Sequence, residues 1–179
     1  MKKYCIALIL AGWFVSPFAQ AEEAQEDMYL GIAYARLSVE DVKPDNLAII
    51  VGGSAENGFG GEVFYMSTIS DDTETVGSTK FKYSTDALGL LATYKTPGKV
   101  YVKGKAGWAT YGVKIVSSGN PSQDESHAGL VYGLGVGVKF TTGSVELTYL
   151  KFPDLDEFDG IALDSTEVDS LSLAYQFHF

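Results

Sequence analysis

Residues 170–179 read SLSLAYQFHF, with Leu171, Leu173, Tyr175, Phe177 and Phe179 at the odd positions and mostly small or polar residues between them. A period of two places all five large apolar side chains on one face of a β-strand. That face needs an apolar environment along its whole length. The same pattern recurs upstream. Over 128–141, Leu130, Tyr132, Leu134, Val136, Val138 and Phe140 share one parity, while Gly129, Gly133, Gly135, Gly137 and Lys139 share the other. Over 99–117, Val100, Val102, Ala106 and Trp108 oppose Lys103, Lys105 and Gly107. Large apolar groups lie on one side of these strands, and glycine with charge on the other.

The chain has 179 residues, 46% of them hydrophobic, which is the size and composition of one folded domain. Its first 21 residues combine Lys2 and Lys3, an apolar run from Ile6 to Val15, a break at Pro17 and the small-residue site Ala19-Gln20-Ala21. This is the pattern of a secretory signal peptide, and the run is shorter than the roughly 20 residues a spanning helix needs. Cleavage after Ala21 is expected, leaving 22–179 as the mature domain. Cys5, the chain's one cysteine, leaves with the peptide, so the mature domain has no disulfide framework. Because Cys5 precedes the apolar run, it is not placed for lipoprotein processing. Loss of Lys2 and Lys3 leaves 11 basic against 23 acidic residues, a formal charge of −12, which disfavours nucleic acid as a partner. No mature segment reads as a transmembrane helix, so any membrane role falls to strands.

Eight extended runs are predicted, near 28–39, 46–54, 60–70, 80–95, 99–117, 128–141, 144–153 and 166–179, each bounded by Gly, Pro, Asn or Asp. Their connections alternate. AENGFG, TPGK and TTGS are tight, whereas VEDVKPD, SDDTETVGST, SSGNPSQDES and PDLDEFDGIALDS are longer and mostly acidic. Transmembrane barrels have this asymmetry, with short periplasmic turns and longer extracellular loops. The pattern therefore predicts an all-β chain, an eight-stranded antiparallel up-and-down transmembrane β-barrel. A soluble lipocalin-type barrel also alternates, but turns its apolar face inward. An eight-stranded interior is only just filled by side chains, so the glycine-rich face is assigned to the lumen and Tyr, Phe and Trp to the lipid. The last strand is then expected to pair with the first, because an open edge in hydrocarbon leaves backbone groups unsatisfied.

These residues resemble the small outer-membrane β-barrels of the OmpA, OmpX and opacity-protein type of Gram-negative bacteria. The resemblance spans the mature chain and rests on GGEVFY (60–65), YVKGKAGW (101–108), YGLGVGVKF (132–140), VELTY (145–149) and the terminal aromatic strand. It implies a bacterial outer-membrane location and a monomer. It also implies that Tyr175, Phe177 and Phe179 form the signal read by the barrel-assembly machinery. Charged lumen pairs are implied at Glu62, Lys103 and Glu146. The family includes structural anchors, adhesins, complement-resistance proteins and narrow pores. The peptidoglycan-binding domain of full-length OmpA is not expected here, so a wall-tethering role is not supported.

Parity places Glu62, Lys103, Lys105, Lys139 and Glu146 in the lumen, where buried charges must pair. Arg36, Lys82, Lys114 and Lys151 instead continue lipid-facing rows at the loop ends of their strands, a basic ring placed to meet lipopolysaccharide phosphates. His127, in ESHAG, resembles the membrane-facing histidine of lipid A deacylase barrels, but the serine expected two residues on is Gly129. No catalytic constellation is therefore assigned. His178 shares parity with Gln176 and is assigned a structural partner in the lumen. DLDEFDG (154–160) offers Asp154, Asp156 and Asp159, but their spacing does not match a calcium loop. The glycines of YGLGVGVKF alternate along a strand and open no helix, so they are not a phosphate loop. No enzyme activity, metal or cofactor is predicted. The expected role is structural or surface-interacting, through acidic extracellular loops and an unidentified surface ligand. A narrow pore is the alternative and a lipid A-modifying enzyme the third reading.

Overall fold

The structure, a computed structural model, describes residues 27–39, 42–76, 79–117, 123–158 and 161–179, the side chains of 74–80, 117–124 and 155–165 excepted. The predicted signal peptide and Cys5 lie outside the described residues. The strands are β1 (Asp27–Val39), β2 (Asp45–Ser54), β3 (Phe59–Ser70), β4 (Asp72–Val76), β5 (Thr79–Lys95), β6 (Val100–Ser117), β7 (Gln123–Lys139), β8 (Gly143–Lys151), β9 (Leu155–Phe158), β10 (Ile161–Thr166) and β11 (Val168–His178). Eight of them, β1, β2, β3, β5, β6, β7, β8 and β11, pair antiparallel with their neighbours into a closed barrel. Closure runs between β11 and β1, from Tyr29 opposite His178 to Val39 opposite Val168. The Phe179 amide adds one more bond, donating to the Met28 carbonyl at 3.0 Å. The predicted pairing of last strand with first is the observed one.

The three tight turns lie at one end of the barrel. In two of them glycine takes the left-handed region, Gly58 at φ 85° and Gly98 at φ 118°, which other residues enter at a steric cost. In the first, Gly58 N–H donates to Ala55 O and the Asn57 side chain accepts from Phe59 N–H. At the other end the connections are more ordered than the predicted loops. β4 folds back on β5 from Asp72–Tyr83 to Val76–Thr79, β9 and β10 form a separate ribbon, and β7 starts at Gln123, paired with Ile115. Here Thr73, Thr75 and Val76 face Lys82, Lys80 and Thr79 across the ladder. β-branched residues suit a pleated ribbon, and continuing the ladder satisfies backbone groups that a loop would leave to water.

The faces are inverted relative to a water-soluble barrel. Leu134 and Trp108 expose 62% and 60% of their surface on the outside, whereas Glu146 and Gln176 inside expose none. An outward belt of Leu30, Ile32, Ile49, Leu90, Leu147 and Leu173 requires an apolar solvent, and strands closed on each other are the β form that meets this requirement in lipid.

One expectation is overturned. Aromatic residues are not confined to the outside: Tyr29, Phe64, Tyr101, Tyr111 and Phe152 are buried in the interior. The lumen glycines make this physically feasible. A Cβ at Gly52 would strike the Tyr29 ring, one at Gly89 the Phe64 ring, and one at Gly137 the Tyr101 ring. Each missing side chain seats an aromatic from another strand position. The room that glycine leaves is thus occupied, and the interior is packed.

Gly89→Ala is expected to destabilise the barrel by about 1–3 kcal/mol through overpacking against Phe64. Phe64→Leu should recover part of that loss. Urea unfolding in detergent micelles across the double-mutant cycle checks this, and strictly additive effects would show that the two positions do not share the space.

Candidate functional site

At mid-barrel, β3, β6 and β8 bring four charges together. Lys103 Nζ lies 2.9 Å from Glu62 Oε1 and 2.8 Å from Glu146 Oε2, and Lys105 Nζ lies 2.7 Å from Glu62 Oε2 and 2.6 Å from Glu146 Oε1. Each ammonium bridges both carboxylates, so the formal charges cancel. All four side chains expose 2% or less. An isolated charge in this position would be strongly penalised, and the remaining lone pairs also need donors. These are supplied by Tyr29 Oη to Glu62 Oε1 (2.5 Å), Tyr101 Oη to Glu146 Oε2 (3.0 Å) and Thr148 Oγ1 to Glu146 Oε1 (2.9 Å). The Lys103 ammonium also stands 4.6 Å from the Tyr29 ring centroid, a cation–π geometry.

Lys139 is not part of this group. Along β7 the partners of Lys105 and Lys103 are Gly133 and Gly135, and Lys139 stands further toward the tight-turn end. There it pairs with Asp27 at 2.8 Å. Lys95 Nζ lies 2.6 Å from the same Oδ2 atom, and His178 Nδ1 lies 2.5 Å from Asp27 Oδ1. His178 Nε2 then lies 2.9 Å from Ser144 Oγ, which donates to Gln176 Oε1 at 3.0 Å. Asp27 and Lys95 were absent from the predicted site. The predicted run 28–39 stops one residue short of Asp27, which the structure places at the start of β1; Lys95 lies within the predicted run 80–95 and shares the inward parity of Thr93, but parity does not name its partner.

Above the mid-barrel charges the lumen turns apolar. Phe152, 1% exposed, meets Phe64 edge-on at 6.3 Å and Tyr111 edge-on at 5.8 Å between centroids, with Leu37, Val131 and Val168 around them. Between the charged and apolar layers a cavity of about 20 Å3 touches Glu62, Lys105, Thr148 and Ser172, space for about one water. His127 faces this inner side and stacks on Tyr111 at 5.5 Å. Ser126 is exposed on the opposite face, so the strand's own alternation separates the hydroxyl from the imidazole. Among the described residues no three His, Cys, Asp or Glu side chains are grouped closely enough to hold a metal. The side chains of Asp156 and Asp159 lie outside the described residues.

Arg36, Lys82 and Lys114 are exposed on the outer face near the long-loop rim, and Lys151 is partly exposed. Three of them have an acid at hand: Arg36 Nε is 3.0 Å from Asp45, Lys82 is 4.0 Å from Asp71, and Lys151 is 3.1 Å from Asp154 and 3.5 Å from Glu167. Tyr34 completes the first pair by hydrogen-bonding Asp45 and accepting from Arg36. Tyr175, Phe177 and Phe179 lie on the outer face at the opposite end of β11.

Glu146→Ala should strand positive charge in the lumen and lower barrel stability by on the order of 3–5 kcal/mol, or less where water enters. Replacing all four charged residues together by apolar side chains of similar volume should cost less than that single change. Thermal unfolding in micelles compares the two, and a harmless Glu146→Ala would show that the four charges are not coupled.

The family model for the outer membrane protein beta-barrel domain matches residues 5–179. No curated protein matches the chain. Among solved structures, the attachment invasion locus protein Ail of Yersinia pestis, in complex with the heparin analogue sucrose octasulfate, is 17% identical over 88% of this chain and 100% of that one, at TM-score 0.58. The Neisserial surface protein A is 15% identical over 88% and 100%, at 0.56. A major outer membrane protein from Thermus thermophilus is 12% identical over 85% and 99%, at 0.62. At these identities the likeness is one of fold, and it agrees with the inverted faces and the closed eight-stranded sheet. The chain is a member of the outer membrane protein beta-barrel domain family, located in the bacterial outer membrane.

Proposed function

We propose that this protein has a structural and surface-interaction role in the envelope, exerted through its acidic extracellular segments and its lipid contacts, and that neither transport nor catalysis runs through its lumen. The observation that carries this reading is the filled interior. A neutralised four-charge layer is capped by an apolar layer centred on Phe152, and the cavity between them has room for about one water. The non-enzymatic reading draws on the separation of Ser126 from His127 by strand alternation.

Ail was solved with a sulfated heparin analogue, but charge argues against transferring that ligand. With a predicted mature charge of −12, and with Asp71, Asp72, Asp154 and Glu167 at the rim, a polyanion would meet repulsion. Cationic partners, or divalent ions bridging to other anions, suit this surface better. Beneath it, Arg36, Lys82, Lys114 and Lys151 are the groups we assign to lipopolysaccharide phosphates. For Arg36, Lys82 and Lys151 a lipid phosphate would share the cation with the carboxylate already present.

In planar bilayers the purified barrel is expected to show no unitary conductance above the lipid baseline. Reproducible single-channel steps would reverse the order of readings and make it a pore. Lipopolysaccharide is expected to raise the thermal midpoint of the wild type more than that of a variant with Arg36, Lys82, Lys114 and Lys151 all changed to Gln. Equal shifts would reduce the four cations to interfacial anchors.

A further inference from the structure

We propose that the periplasmic mouth of the lumen is a binding site for a small soluble oxyanion of the phosphate or carboxylate class, held by Lys95, Lys139 and His178. The two polar layers of the interior differ in charge balance. At mid-barrel two carboxylates meet two ammonium groups. At the mouth, among the described residues, Asp27 is the one acid in contact with Lys95, Lys139 and His178. Both ammonium groups crowd onto a single oxygen, Asp27 Oδ2, at 2.6 and 2.8 Å. Two like charges that share one acceptor repel each other, and a second anion between them would convert that repulsion into attraction.

The hydrogen bonds show the same excess of donors. Gln176 exposes no surface, its Oε1 accepts from Ser144 Oγ, and its Nε2 is a buried donor without a partner among the described residues. Ser144 links this amide to His178 Nε2. The layer therefore offers two ammonium groups, an imidazole and an amide to one carboxylate, and what it lacks is an acceptor. Access is available on the periplasmic side, because the Lys139 side chain is 41% exposed while Lys95 is 15% exposed. Both lysines lie on lumen-facing rows, which favours an anion arriving in solution over a lipid headgroup on the outer surface. Charge-assisted N–H···O bonds to two lysines suit the oxygens of phosphate or of a carboxylate.

The test is calorimetric titration of inorganic phosphate into the refolded full-length mature barrel in an uncharged detergent, with ionic strength matched by sodium chloride. Saturable binding is expected in the wild type. Lys139→Gln should weaken it at least tenfold, and Lys139→Arg should retain it. Asp27→Asn, which removes the competing carboxylate, should tighten it, and Lys43→Gln, at an exposed position by the long-loop end, should leave it unchanged. Heat-modifiable mobility on gels checks that each variant is folded. The proposal is overturned if phosphate gives no heat beyond that of chloride, or if folded Lys139→Gln binds as tightly as wild type. Competition by phosphatidylglycerol micelles at equal phosphate concentration would assign the mouth to a lipid headgroup and overturn the soluble ligand.

Discussion

Every backbone N–H and C=O that enters hydrocarbon must find its partner within the protein, since no water is available there to substitute. For a chain made of strands that requirement is met only by closure, and here it is met by the pairing of β11 with β1 along Tyr29–Val39. The other features follow from it. Eight strands close with an interior a few side chains wide, and each residue faces either lipid or that interior. Alternation then separates the chain into an apolar outer belt and an inner column in which every polar group must be accounted for.

The inner column is organised in layers. At the tight-turn end Asp27 gathers Lys95, Lys139 and His178. At mid-height Glu62 and Glu146 each meet both Lys103 and Lys105. Toward the long loops Phe64, Tyr111 and Phe152 pack edge to face. A buried ion cluster is weak evidence for stability, because desolvation offsets much of the attraction. Its contribution here is better described as specificity. Four charges that cancel only in one register oppose any slip of β3, β6 or β8 relative to one another, since a one-residue slip would turn a charge out into lipid.

Glycine links the two faces of this design. Gly52, Gly89 and Gly137 are the positions at which Tyr29, Phe64 and Tyr101 cross the lumen. Two of those aromatics then reach polar partners, Glu62 for Tyr29 and Glu146 for Tyr101. The rings fill volume with their bodies and satisfy carboxylates with their hydroxyls, so packing and electrostatics are met by the same side chains.

Alternation in SLSLAYQFHF and its upstream counterparts establishes strands and their two faces, because period two is a local property; the glycine-rich character of one face and the alternation of tight with long connections then select a closed membrane barrel over a soluble one. The same parity assigned Glu62, Lys103, Lys105 and Glu146 to the interior. It did not separate Lys139 from them, nor connect Lys139 to Asp27, 112 positions away in the chain. Height within a barrel depends on strand stagger, a property of the whole closed sheet. The ribbons formed by β4 with β5 and by β9 with β10 likewise look like loops in the sequence, because their acidic residues mask the strand preference of their Thr and Val. The interior aromatics are hidden from the sequence for a related reason. A glycine on one strand declares that space exists, but only the tertiary structure decides which ring, from which other strand, comes to fill it.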